Sequence, residues 1–153
     1  MSVDYLLAFT AVEFHASLIT PFFINFTHCL LIEGFDLVSS MKHILITTVQ
    51  SSIARHTNIV LMHQNASTTS ITATLYVFTH PRWRPWGQRL PPACPKCSSP
   101  HSWSDKIKSR STYSFVCRYK GCPGECSFTK PDGFELYTPD INGGRWMKKV
   151  YGF

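Results

Sequence analysis

The stretch "CPKCSSPHSWSDKIKSRSTYSFVCRYKGCPGEC", residues 94–126, holds five of the chain's six cysteines and decides how the sequence is read. Cys94 and Cys97 have two residues between them, the spacing of a turn that offers two thiolates to one metal ion. Cys117 follows after a long interval, then Cys122 after "RYKG" and Cys126 after "PGE". Zinc takes four ligands in a tetrahedron, so two cysteine-bearing turns brought together suffice. Five cysteines are an odd number for disulfide pairing. A redox motif would open a helix after a strand, whereas prolines precede "CPKC" and "SSPHS" follows it. The expected ligands are Cys94, Cys97, Cys117 and Cys122, because "FVCRYKGC" places a thiol where a strand enters a turn and Gly121 can turn the chain. The alternative pairs Cys122 with Cys126 and leaves Cys117 in its strand, and His101 is a substitute ligand. Four thiolates close the shell, so the zinc is expected to be structural, supplying folding energy that a module of about 40 residues lacks.

Between the knuckles, "SWSDKIKSRSTYSFV" reads as a β-hairpin with Tyr113, Phe115 and Cys117 alternating on its return strand. Two knuckles joined by a hairpin resemble a zinc ribbon, a resemblance covering roughly residues 92–130. On the outgoing strand Lys106, Lys108 and Arg110 alternate and are expected to share one face. With Arg118 and Lys120 they form a candidate nucleic-acid-binding surface. Lys130, Arg145, Lys148 and Lys149 add charge, and Trp103, Tyr119 and Trp146 are candidate stacking groups. Ribbons serve nucleic-acid and protein partners alike, so either class of partner is open.

The charge pattern divides the chain. The net charge is +6, but residues 1–81 hold two basic side chains (Lys42, Arg55) against four acidic ones, whereas residues 82–153 hold 13 basic against 5 acidic. The expected division is an α/β unit over 1–80, a stiff linker over 81–92 and a zinc ribbon with a β-rich extension over 93–153. The linker "PRWRPWGQRLPP" is rich in proline, which fixes backbone dihedrals. Its Trp83 and Trp86 are expected to tie it down by packing rather than to bind ligand. The tail from Lys130 carries the turn signals "PDG" and "NGG" and is expected to complete the ribbon sheet or pack on it.

In the first 80 residues, "VDYLLAFTAV" reads as a short buried strand. "TPFFINFTHCLLIEG" reads as a helix capped by Thr20, with Pro21 in its first turn and Gly34 closing it. Asp36 then caps an amphipathic helix in which Leu37, Met41, Ile44, Leu45, Thr48, Val49 and Ile53 recur. "NIVLMHQ" and "ITATLYVFTH" are strand-like. Residues 14–32 contain no Asp, Glu, Lys or Arg and could span a bilayer, but scattered polar residues and Pro21 favour a buried element. The N-terminus lacks a basic leader and a small-residue cleavage site, which points to an intracellular chain, cytoplasmic or nuclear, where clustered cysteines hold metal. The triplets at Asn25 and Asn65 are then chance matches to the glycosylation pattern.

The strand, the "PFF.NF...LLIEG" helix and the amphipathic helix resemble the C-terminal half of a caspase-like domain, in particular of CHAT-type peptidases. "RHTNIVLMHQ" followed by "WRPWGQRLPPACPKC" is similar to uncharacterised fungal proteins that join such a region to a cysteine cluster. The resemblance implies a truncated caspase-like α/β layer ahead of the ribbon. It also implies a copy without the catalytic dyad, since neither an "HG" histidine nor a strand-end cysteine occurs. Cys29 and His28 do not rebuild one: neighbours on a helix point about 100° apart, and a cysteine beside "LLI" is a small hydrophobe. The remaining histidines show no paired spacing, and no phosphate loop or GxSxG is present. The chain is therefore expected to be a non-enzymatic zinc-binding adaptor. A peptidase fragment is the alternative.

Overall fold

The computed structural model describes residues 5–13, 15–48, 52–64, 70–109 and 111–153. The elements run β1 (Tyr5–Phe9), α1 (Ala16–Leu31), α2 (Leu37–Thr47), α3 (Ser52–His56), β2 (Ile59–Gln64), β3 (Ile71–Thr79), β4 (Trp103–Lys108), β5 (Thr112–Cys117), β6 (Glu125–Thr129), β7 (Glu135–Leu136) and β8 (Arg145–Gly152), with a 3-10 turn at Pro85–Gly87. The fold is mixed α+β. Its chain divides into two compact units, one of residues 1–78 with 133–153 and one of residues 79–132.

The first unit is built on a five-stranded sheet in the order β1-β2-β3-β8-β7. β1 pairs antiparallel with β2, Tyr5 opposite His63 and Phe9 opposite Ile59, although three helices separate them in sequence. A right-handed crossover would instead have made them parallel neighbours, so the layered α/β order read from the sequence gives way to an antiparallel sheet. β2 and β3 pair from Ile59–Tyr76 to Gln64–Ile71, and Ile71 and Phe153 exchange both backbone hydrogen bonds. β1 is an edge strand, with Tyr5 and Leu6 exposed rather than buried as its apolar run suggests.

Helix α1 begins a turn earlier than expected, with His15 at the cap and Pro21 inside. Thr20 does not cap it: its hydroxyl donates to the Ala16 carbonyl at 2.8 Å. Gly34, at φ +68°, closes the helix region as expected. Asp36 caps α2, its Oδ1 accepting from Val38 N at 2.9 Å and Ser39 N at 3.0 Å. Met41, Ile44 and Leu45 of α2 are fully buried, but Ile53 belongs to α3, and Val49 lies outside the described residues. With Ile19, Phe22, Ile59, Leu61, Tyr76, Phe78 and Trp146 they form one core. Each such side chain contributes about 1.5–3 kcal/mol on leaving water. Cys29 sits in that core. Among the described residues no helix is long and apolar enough to cross a membrane.

The tail is a correction. Trp146 is wholly buried against Phe78, ring centroids 5.6 Å apart, and β8 lies between β3 and β7. Residues 133–153 therefore complete the first sheet and not the ribbon. The burial of β8 supplies the reason: Trp146 joins the large core of the first unit and Met147 beside it is buried as well.

The second unit has a three-stranded antiparallel sheet, β4-β5-β6. The segment expected as a linker is built into it. Pro85 and Trp86 are buried, and Trp86 stacks on Tyr113 of β5 at 5.1 Å. Gln88 Nε2 donates to Thr129 O at 3.3 Å, and Trp103 Nε1 donates to Pro91 O at 2.8 Å. Arg84 is buried too, its Nε donating to Gly87 O at 3.1 Å, and burial, with Arg89 nearby, lowers its guanidinium to about 10. The packing role expected for Trp86 thus holds, whereas Trp83 is 53% exposed.

Candidate metal centre

The first knuckle is a tight turn around "CPKC". Ser98 N donates to Cys94 O at 2.8 Å and Cys94 N to Ser99 O at 2.9 Å, with Ser98 in the left-handed region at φ +57°. An isolated bridge between Ala93 and Pro100 closes its base. These bonds aim the thiols of positions 94 and 97 to one side. The second knuckle starts where β5 ends. Cys117 N donates to Gly124 O at 2.8 Å and Cys122 N to Tyr119 O at 3.0 Å, while Gly121 makes the turn at φ +78°. Tyr119 N and Gly124 N each lie 3.4 Å from a sulfur, Cys117 Sγ and Cys122 Sγ respectively. Amide donors so placed favour thiolates over thiols.

Across the two knuckles, Cys94 Sγ lies 3.7 Å from Cys122 Sγ and Cys97 Sγ lies 3.6 Å from Cys117 Sγ. The four sulfurs all lie within 4.8 Å of one another, a group that could hold a metal ion. A tetrahedron of sulfurs at zinc's bond length has edges of about 3.8 Å. Cys94 and Cys117 are buried, and Cys97 and Cys122 are half-buried. Ser102 Oγ lies 3.3 Å from Cys117 Sγ, and this hydrogen bond, outweighing desolvation, brings that thiol down to about 7. Cys122 goes the other way. The Gly124 N–H favours its thiolate, but desolvation and the neighbouring thiols raise it to about 12. Four thiols this close to one another disfavour more than one thiolate, a cost that a bound cation would relieve.

The four cysteines singled out in the sequence are the ones the fold brings together. Cys126 is in β6 opposite Phe115, outside the group, and burial, with Cys94 nearby, pushes its thiol up. His101 is exposed and outside the group as well. Gly124 is the residue that sequence reasoning missed. A Cβ there would overlap Cys94 Sγ and stand 3.3 Å from both Cys117 Cβ and Cys122 Sγ. Its signal was in plain sight as "CPGEC", where only a residue without a side chain lets the backbone pass the sulfurs.

The basic face is altered. A β-bulge between Asp105 and Ile107 sets Lys106 out of register, so Lys106 and Lys108 do not alternate as an unbroken strand would have them. Lys106 Nζ pairs with Glu125 Oε1 across the sheet. Lys108 lies opposite Tyr113 in the ladder, its side chain outside the described residues, as is all of Arg110. Arg118 and Lys120 are exposed on the second knuckle.

Neither Cys29 nor His28 gathers a nucleophilic pair. Burial, with the Glu33 carboxylate nearby, pushes the Cys29 thiol up, and His28 Nδ1 faces Glu33 Oε1 at 3.3 Å. No family model matches the chain, and no curated protein or solved structure is significantly similar to it.

Proposed function

We propose that residues 79–132 are a structural zinc ribbon and that the chain is a non-enzymatic binding module for nucleic acid. The observation that carries the metal reading is the group of four sulfurs within 4.8 Å of one another. Thiolates are soft ligands that select zinc or iron, and zinc is the usual occupant of a four-cysteine structural site. Four sulfurs leave no position for water or substrate, so the metal staples the unit rather than catalysing a reaction. The second unit has the small core that benefits from such a staple: among its described residues the buried apolar side chains besides the cysteines are Pro85, Trp86, Tyr113 and Phe115.

Nucleic acid is the partner class favoured by the basic excess of residues 82–153, 13 basic against 5 acidic side chains. Exposed Arg118 and Lys120 carry that reading on the second knuckle. The burial of Cys29 in the apolar core supports the binding module over the alternative, a fragment of a caspase-like cysteine peptidase.

Native mass spectrometry tests the metal. One zinc per chain is expected, lost in Cys94→Ser, Cys97→Ser, Cys117→Ser and Cys122→Ser and kept in Cys126→Ser. A zinc-free wild type with intact thiols overturns the ribbon.

A further inference from the structure

The second unit carries a polar cleft of about 470 Å³ whose walls include Arg82, Trp83, Trp103, Asp105 and Arg118. Its volume is in the range of small-ligand sites. The segment that contributes Trp83 is held in place before any ligand arrives. His80 and Arg84 exchange backbone hydrogen bonds at 3.1 and 3.0 Å, and Arg82 N donates to His80 Nδ1 at 3.1 Å. On that imidazole lies the Trp83 indole, centroids 4.0 Å apart and planes within 8°. One face of the indole is therefore backed by a fixed ring, yet the side chain stays 53% exposed. A large aromatic group held flat and half exposed can serve as a platform for a stacked base.

The other walls add direction. Trp103 is pinned by its Nε1 bond to Pro91 O at 2.8 Å. Arg82 Nε lies 3.5 Å from Asp105 Oδ2, an exposed guanidinium beside a half-buried carboxylate. Arg118 follows the metal-site residue Cys117 directly, and its N–H donates at 2.6 Å to the carbonyl of Ser102, the neighbour of Trp103. The cleft is thus continuous in sequence with both knuckles.

We infer that this cleft binds one unstacked base of a single-stranded nucleic acid, with the base on Trp83 and the adjoining phosphate on Arg118. The inference deepens the proposed function and rests on its nucleic-acid reading. A duplex covers both faces of every base, so an indole platform selects a single strand. An acidic peptide would satisfy the arginines but has no flat ring for the indole to cover.

The test uses the full chain, its zinc content measured by native mass spectrometry, with fluorescein-labelled oligothymidylate followed by anisotropy and by quenching of tryptophan emission. Saturable binding with quenching is expected. Trp83→Ala weakens binding roughly tenfold, with zinc content unchanged, and Trp83→Phe regains most of the loss. Arg118→Ala makes the logarithmic salt dependence shallower by about 0.7. Equal affinity in Trp83→Ala overturns the cleft, as does tighter binding of a duplex or of polyglutamate. Zinc present with no oligonucleotide bound overturns the cleft and its nucleic-acid reading but leaves the ribbon. Trp83-dependent binding by a zinc-free chain sustains the cleft and overturns the ribbon.

Discussion

Gly124 shows how little room the metal site leaves. Its missing side chain is what allows the backbone between Cys122 and Cys126 to pass against Cys94 Sγ. Overpacking of a tight site costs about 1–3 kcal/mol. Gly124→Ala is therefore expected to lose zinc to a chromogenic chelator at a much lower chelator concentration than wild type, while Gly121→Ala, where nothing lies within 4 Å, acts only through its positive φ. Equal chelator resistance in wild type and Gly124→Ala would contradict the geometry. At this scale the sequence was highly legible for cysteines, because ligand spacing is a local property. Gly124 is visible in "CPGEC", but its role, like that of Ser102, depends on which sulfur lies opposite it after folding.

Helix α2 illustrates what local chemistry fixes in an element. Asp36 meets two amide donors and the Ser39 hydroxyl, and those hydrogen bonds, the Ser39 hydroxyl first, hold its carboxyl below the usual range. A lowered carboxylate contributes stability that is present above the ordinary pKa of the unfolded chain, about 3.9, and is lost as pH falls through the folded value. The thermal midpoint of Asp36→Ala should lie below that of wild type by a constant few degrees from neutrality to about pH 4. The gap should narrow in stronger acid, as measured by circular dichroism. A gap that widens in acid would show that the carboxylate is not the capping group. The cap and the buried face of α2 were both readable, since both follow from i, i+3 and i+4 spacing. The start of α1 was not, because Thr20 and Pro21 look like a helix start in isolation, and only packing of Ile19 and Phe22 against the sheet extends the helix backwards. Nor was the bulge at Lys106, which is a property of the pairing and not of one strand.

For the molecule as a whole, the first unit has a hydrophobic core around Trp146, and the second has the cysteine cluster, which on the proposed zinc reading is its stabilising device. Trp146→Ala should remove about 3–5 kcal/mol from the first unit, seen as earlier denaturant unfolding of its helical signal, with zinc still bound. Trp146→Phe should be milder, since the indole Nε1 is a buried donor without a partner among the described residues. Stripping zinc with a chelator should have the opposite pattern, abolishing the near-ultraviolet signal of the Trp86–Tyr113 stack while the helices persist. Loss of both signals together in either experiment would mean that the units do not unfold separately. The sequence marked the break near residue 80 by its change of charge, but assigned the tail to the wrong partner. Strand pairings between distant segments carry no local signature: β8 is adjacent to β3 only in the finished sheet.

That adjacency has a consequence for biosynthesis. The strands on either side of the β3–β8 seam are separated in the chain by the whole cysteine-bearing unit, so a ribosome makes residues 79–132 after β3 and before β8. Domains usually mature in order of synthesis. On the proposed zinc reading, the middle of the chain can take up metal and finish first, while the earlier half waits on the ribosome with the face meant for Trp146 uncovered. Cellular zinc supply and translation speed between Asp132 and Gly152 would then together set how long that apolar seam is open to chaperones.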